Sequence, residues 1–149
     1  MRRTVYLSGR IDGLHYDEAI AARGIAADML VAGGWDILDP MRGTKTILEG
    51  KIINDDASQR PDSAIILRDL DDIKRCDVLL VLTADDPSYG TLMEWGWAGI
   101  ALRKPIVAID IKKKARKSPW PRFHTMFFAD TVEEGCKWII HNLDRGYQL

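Results

Sequence analysis

Two short runs without a polar residue constrain the fold more than anything else in the chain. They are Val78-Leu79-Leu80-Val81-Leu82 and Pro105-Ile106-Val107-Ala108-Ile109. A strand with apolar side chains on both faces has to be covered on both, as in a parallel sheet flanked by helices. Parallel neighbours need a crossover between them, and the intervening sequence supplies one: Gly90-Thr91 opens a predicted helix running to about Leu102.

The same alternation extends in both directions. Thr4 to Leu7 reads as a short strand ended by Ser8-Gly9. Tyr16 to Ala32 has helical spacing, with Ile20, Ala21, Ile25, Met29 and Ala32 sharing a face, and Gly33-Gly34 stops it. Trp35 to Leu38 is a second strand, closed by Asp39-Pro40. The polar stretch from Met41 to Arg60 has room for a short helix near Ile47 to Ile53. Pro61-Asp62-Ser63 then opens a helix with Ile65, Ile66, Leu70 and Ile73 at a 3.6 period. A basic loop, Lys112 to Arg122, leads to a strand at Met126 to Phe128, and Thr131-Val132-Glu133-Glu134 starts a helix to about Leu143. The prediction is an α/β chain, 1–149 as a single domain. Its sheet is doubly wound (flavodoxin- or Rossmann-like), mostly parallel and five-stranded, with helices on both faces.

Length and charge narrow the function. A chain of 149 residues can bury its own core. Its 21 basic and 22 acidic side chains nearly cancel, which argues against a general nucleic-acid or membrane binder. No apolar run reaches signal-peptide or membrane-spanning length. Cys76 and Cys136 sit in apolar contexts and read as free buried thiols, which predicts a cytoplasmic, reducing compartment. The widely spaced His15, His124 and His141 give no metal signature, and neither metal nor cofactor is expected. The cationic run Lys112 to Lys117 reads first as a solvated loop and second as a weak phosphate or nucleic-acid contact. The five tryptophans, Trp35, Trp95, Trp97, Trp120 and Trp138, divide between core, subunit interface and base stacking.

In doubly wound folds ligands sit beyond the carboxyl ends of the strands. That rule selects Ser8 to Gly13, Asp39 to Met41, Thr83 to Gly90 and the loop after Ile109. The acids are 17 Asp and only 5 Glu, and Glu94 is the Glu that falls beside the central strand's end. Placed in the first helical turn, it should have its pKa lowered by the helix dipole and act as nucleophile or electrostatic stabiliser; otherwise it is a Glu at a favourable helix position. Gly96 and Gly99, inside the same helix, indicate close approach of a backbone or ligand, or tight helix packing. Asp69-Leu70-Asp71-Asp72 is either a solvated helix end or a cluster that turns one acid into the site. Tyr6 is either a core aromatic or a hydroxyl reaching the same place. The loop Ser8-Gly9-Arg10-Ile11-Asp12-Gly13 is neither a Walker loop nor GxGxxG.

Three blocks of sequence resemble the nucleoside 2-deoxyribosyltransferase superfamily, which includes the 2'-deoxynucleoside 5'-monophosphate N-glycosidases. They are Val5-Tyr6-Leu7-Ser8-Gly9-Arg10-Ile11; Asp69-Leu70-Asp71-Asp72-Ile73-Lys74-Arg75-Cys76-Asp77-Val78; and Ser88-Tyr89-Gly90-Thr91-Leu92-Met93-Glu94-Trp95-Gly96-Trp97-Ala98 with Arg103-Lys104-Pro105-Ile106-Val107. The last, a G-T-x-x-E-x-G-x-A pattern before a K-P strand, is the most specific. The resemblance implies that Glu94 is the nucleophile at C1' of a sugar, Asp69 the second carboxylate that handles the base, and Tyr6 the tyrosine that holds the nucleophile. It implies a nucleoside or nucleotide substrate bound by Ser8, Gly9, Arg10, Ser88 and Gly90. It also implies a homo-oligomer in which His124, two positions before Met126, reaches a neighbouring site.

The acceptor, another base or water, separates transferase from hydrolase. Deoxyribosyltransferases carry Asp six residues before the nucleophile. Here that residue is Ser88, as in the monophosphate glycosidases, where the serine binds the 5'-phosphate. Arg10 adds a cation at this edge, while Asp12 stands where the glycosidases place an arginine. Three functions are therefore open: transfer of the sugar to a base or to water, strict hydrolysis of 5'-monophosphates, and non-catalytic nucleotide binding on the same fold. A phospho-receiver domain is set aside, because it needs an acidic pair where this chain has Ser8-Gly9.

Overall fold

The computed structural model describes residues 2–45, 49–53 and 62–143. Five parallel strands, β1 (Thr4–Ser8), β2 (Asp36–Leu38), β3 (Val78–Val81), β4 (Ile106–Ile109) and β5 (Phe127–Ala129), form one sheet in the order β2-β1-β3-β4-β5. The helices are α1 (Tyr16–Ala32), α2 (Asp62–Arg75), α3 (Tyr89–Gly96), α4 (Pro119–His124) and α5 (Val132–Leu143). The predicted α/β class and five-stranded parallel sheet flanked by helices are those observed.

The alternation along each strand decides the two faces. Val5, Leu7, Val78, Leu80, Val107 and Ile109 pack with Ala26 and Leu30 of α1 and with Cys136, Ile139 and Leu143 of α5. Tyr6, Leu79, Val81, Ile106 and Ala108 pack on the other face with Ile73 of α2 and Trp95 of α3. The chain leaves β1 for β2 on one side and returns to β3 on the other. The carboxyl ends of β1 and β3 therefore flank the point where the winding reverses, which is where a doubly wound sheet opens a crevice.

Several expectations need correction. Helix α1 has the expected bounds but buries Tyr16, Ala19, Arg23, Ala26 and Leu30, not the row Ile20, Ala21, Ile25, Met29 and Ala32. Its apolar residues are spread around the axis, and the true core row contains an arginine. The helix expected from Gly90 to Leu102 starts at Tyr89, capped by the Ser88 hydroxyl on the Thr91 N–H, and widens into a π turn over Trp97–Ala101. The basic loop contains α4, whose start uses Pro119 at a position where no N–H is needed. Of the helix expected near Ile47 to Ile53, the described part, 49–53, is turn and bridge. Ile52 pairs with His15, and Ile53 exchanges backbone bonds with Gly13 and Leu14. The remainder lies outside the described residues.

Candidate active site

Tyr6 and Ser8 are two apart on β1 and so share a face. Both are fully buried, and both turn their hydroxyls on one carboxylate. Tyr6 donates to Glu94 Oε1 at 2.9 Å and Ser8 to Glu94 Oε2 at 2.5 Å. Glu94 comes from α3, the helix that follows β3, so the crevice at the winding reversal is where these three residues meet.

Glu94 lies in the second turn of α3, beyond the free N–H groups of the helix start. Burial dominates its ionisation. It outweighs the two hydroxyl bonds and, with a push from the Asp69 charge, raises the carboxyl to about 7. This corrects the expected lowering by the helix dipole, which fades within the first turn. Tyr6 is pushed well above its usual pKa by burial and by the Glu94 and Asp69 charges, so its hydroxyl stays a donor.

The acidic cluster before β3 splits three ways. Asp71 is exposed. Asp69 keeps only 15% of its side-chain surface and takes two bonds from its neighbour Arg68, at 3.2 and 3.0 Å. Burial still raises its pKa against the pull of Arg68, and its charge acts on both Tyr6 and Glu94. Asp72 is buried between Arg42 and Arg75, each at 2.5 Å. Burial works against its charge, but the two guanidiniums win and hold the carboxyl below the usual range. Arg68 also donates to the Pro40 carbonyl at 2.6 Å, so α2 carries the loop after β2 on two arginine contacts.

The remaining candidates line the same edge with different attachments. A Cβ on Gly9 would meet Leu82 Cβ and Thr83 Oγ1, each at 3.3 Å, so any other residue there would push its neighbours at the far end of β3 by a few tenths of an ångström. Arg10 reaches across to Asp86 at 2.9 Å and bonds the Asp12 carbonyl at 3.2 Å. Ser88 spends its oxygen on the α3 cap, 3.2 Å from the Thr91 nitrogen, and Gly90 is exposed beside it. His124 packs at the end of α4 against Phe123 and Trp120. A Cβ on Gly99 would lie 2.9 Å from His124 Cβ, so helix packing accounts for that glycine; one on Gly96 would meet nothing within 4 Å.

Arg116 of the cationic run is bound to Asp110 and Asp130, and Lys113 lies 3.7 Å from Asp130. Trp35 and Trp95 are core residues, Trp138 stacks on Phe127 at 4.9 Å, and Trp97 and Trp120 are exposed. Among the described residues no three of His, Cys, Asp and Glu converge as a metal site. The residue that sequence reasoning missed is Arg23. It is 2% exposed beneath β1, and its only signal was its place in the helical row 16, 19, 23, 26, 30.

The sequence profile of the nucleoside 2-deoxyribosyltransferase family matches residues 5–140. A search of curated proteins returns no match. Among solved structures, a 2-desoxiribosyltransferase from Leishmania mexicana superposes with a TM-score of 0.62 at 16% identity, over 94% of this chain and 98% of that one. A conserved protein from Enterococcus faecalis V583 gives 0.61 at 15% identity, over 92% and 96%. A CMP N-glycosidase from Clostridium botulinum gives 0.58 at 15% identity, over 92% and 98%. These likenesses share the fold, and the profile match covers most of the chain: it belongs to the nucleoside 2-deoxyribosyltransferase family.

Proposed function

We propose that this chain cleaves the N-glycosidic bond of a (2'-deoxy)nucleoside or its 5'-monophosphate through a glycosyl-Glu94 intermediate. The observation that carries the reading is the Glu94 carboxylate, fixed by Tyr6 and Ser8 in the crevice and sharing its field with Asp69. An ionised Glu94 oxygen attacks C1' as the C1'–N bond breaks, and the bonding pair leaves with the base nitrogen. Asp69, the second carboxyl acting on this crevice, delivers the proton to the departing base. The acceptor then attacks C1' from the face the base left and gives its proton to Asp69. Glu94 is released as carboxylate, and two displacements retain configuration.

The acceptor is another base in a transferase and water in a hydrolase. Ser88 favours the monophosphate as substrate, because an uncharged hydroxyl at that loop does not repel a phosphate. Arg10 stands at the same edge, with Asp86 as its present partner. A second copy of the chain would cover the exposed apolar residues Tyr89, Met93, Ile100 and Phe123, and would bring the partner's His124 toward the site. No helix among the described residues is long and apolar enough to cross a membrane, and the buried free thiols Cys76 and Cys136 suit a cytoplasmic setting.

The test is a panel of nucleosides and 5'-monophosphates, each with and without a free acceptor base, run on wild type and Glu94→Ala. Base release by wild type and its loss in a folded Glu94→Ala protein are expected. Release only with acceptor identifies a transferase, and release into water from monophosphates alone a hydrolase. Equal turnover by Glu94→Ala would sink the mechanism. No turnover by wild type would leave nucleotide binding as the function.

A further inference from the structure

We propose that Arg23 is the positioning residue of this site: it grips the two carbonyls on either side of Ser8 and thereby fixes the hydroxyl that holds Glu94. Its Nη1 donates to the Leu7 carbonyl at 2.9 Å and its Nη2 to the Gly9 carbonyl at 2.9 Å. Nη1 also reaches Asp39 Oδ1 at 3.0 Å, and the same oxygen accepts the Met41 N–H at 2.9 Å. One guanidinium therefore ties the end of β1 to the end of β2, on opposite sides of the sheet's first crossover.

A buried cation is costly unless its donors are used and its charge is met. An apolar residue at 23 would fit the row of Ala19, Ala26 and Leu30 without that cost. The arginine instead holds the strand end where Ser8 is presented. Two of its three bonds are aimed at the backbone carbonyls at the end of β1, and the third goes to the Asp39 carboxylate. Lysine could meet the charge but not the fork. Glu94 is faced by Tyr6 and Ser8 from β1, by Asp69 from α2 and by the Arg23 charge from α1, which has Asp39 beside it. Of these, Arg23 alone acts on both the position of a Glu94 partner and the field around it.

The proposal rests on the reading of Glu94 as nucleophile, but its test does not need turnover. The Glu94 carboxyl is titrated by carbon-13 NMR in wild type, Arg23→Lys, Ser8→Ala and the double variant. Arg23→Lys keeps the charge, so a rise in the Glu94 midpoint from about 7 reports a loosened Ser8 bond. The expected rise is about half a pH unit or more, absent when Arg23→Lys is made on the Ser8→Ala background. In turnover, kcat should fall about tenfold with KM nearly unchanged. An unmoved midpoint, or an equal shift in both backgrounds, overturns the role. If Arg23→Lys does not fold, Asp39→Asn releases the anchor, and the rise is read as the difference between the same two backgrounds; no difference overturns the role equally. Wild-type inactivity on every substrate would refute the catalytic reading and leave this titration standing.

Discussion

Two carboxylates at the carboxyl edge of the same sheet, Asp110 buried and Glu94 half-buried, are treated in opposite ways. Asp110, at the end of β4, is fully buried and accepts the N–H groups of Ala115 and Arg116 at 3.0 Å each and Arg116 Nε at 2.8 Å. Burial opposes its charge, but these donors outweigh it and hold its pKa below the usual range. Glu94 receives two neutral hydroxyls, and Asp69 adds a second acid to its field, so burial wins. The cation matched to Asp110 builds a loop. At Glu94 the nearby cation, Arg23, is itself paired with Asp39 and does not offset burial, which leaves a carboxylate with unmet charge. On the proposed reaction, the positive charge that develops on the sugar in the transition state meets that need, so the attraction grows as the bond breaks.

The sharpest way to break this comparison is Glu94→Gln. Base release should fall by about 10³-fold or more, because an amide cannot attack C1'. Stability should move the other way. A carboxyl raised to about 7 in the fold is most stabilising below its unfolded value and loses that contribution as pH rises through 7. Wild type is then handicapped above 7 by roughly 2–3 kcal/mol, and the amide is not. Thermal melts should show Glu94→Gln as the more stable protein near pH 8, with the gap closing toward pH 4.5. Equal melting temperatures near pH 8 would show that Glu94 is better solvated than its surroundings indicate.

Asp110→Asn tests the other side. Its lowered folded pKa makes the carboxylate stabilising above the usual range and lost as pH falls through the folded value. Removing the charge leaves Arg116 short of a partner and should cost about 3 kcal/mol. Base release per folded molecule should stay as in wild type. A variant as stable as wild type at neutral pH would mean that the loop does not depend on this pairing, and the contrast with Glu94 would fail.

The legible parts of this molecule are those where one physical demand acts alone. β3 and β4 need cover on both faces, so their apolar runs name themselves. Glu94, Asp69 and Tyr6 stand out in the sequence as candidates because ligand sites follow strand ends and the flanking blocks resemble a family, and the structure brings Tyr6 onto Glu94. Legibility failed where demands compete. Arg23 occupies a core position for the sake of backbone carbonyls, and a hydrophobic pattern cannot register that. Asp69, Asp71 and Asp72 lie within four positions of sequence yet meet the crevice, the solvent and two arginines, since a helix turns about 100° with every residue. The ionisation of Glu94 was misjudged because burial, a property of the assembled crevice, exceeds the local helix effect. Helix α4 hid behind Pro119 and Pro121, which read as loop although proline suits a first turn.

Tyr6→Phe probes the comparison most gently, since it removes one donor from a carboxylate already short of them. The Tyr6 hydroxyl favours the ionised form of Glu94, so its loss should raise the Glu94 midpoint above 7, by less than a full pH unit because Ser8 still holds the other oxygen. The acid limb of kcat/KM should move by the same amount. At high pH, where Glu94 is ionised in both proteins, kcat should fall only about tenfold, the cost of a less well aimed nucleophile. The phenyl ring keeps its place among Ile73, Leu79 and Trp95, so the fold should be little changed. A midpoint that stays put would assign the control of Glu94 to Ser8 alone. A midpoint that falls would mean that the tyrosine hydroxyl serves its neutral form, and the hydroxyl pair would then be a brake on ionisation rather than its support.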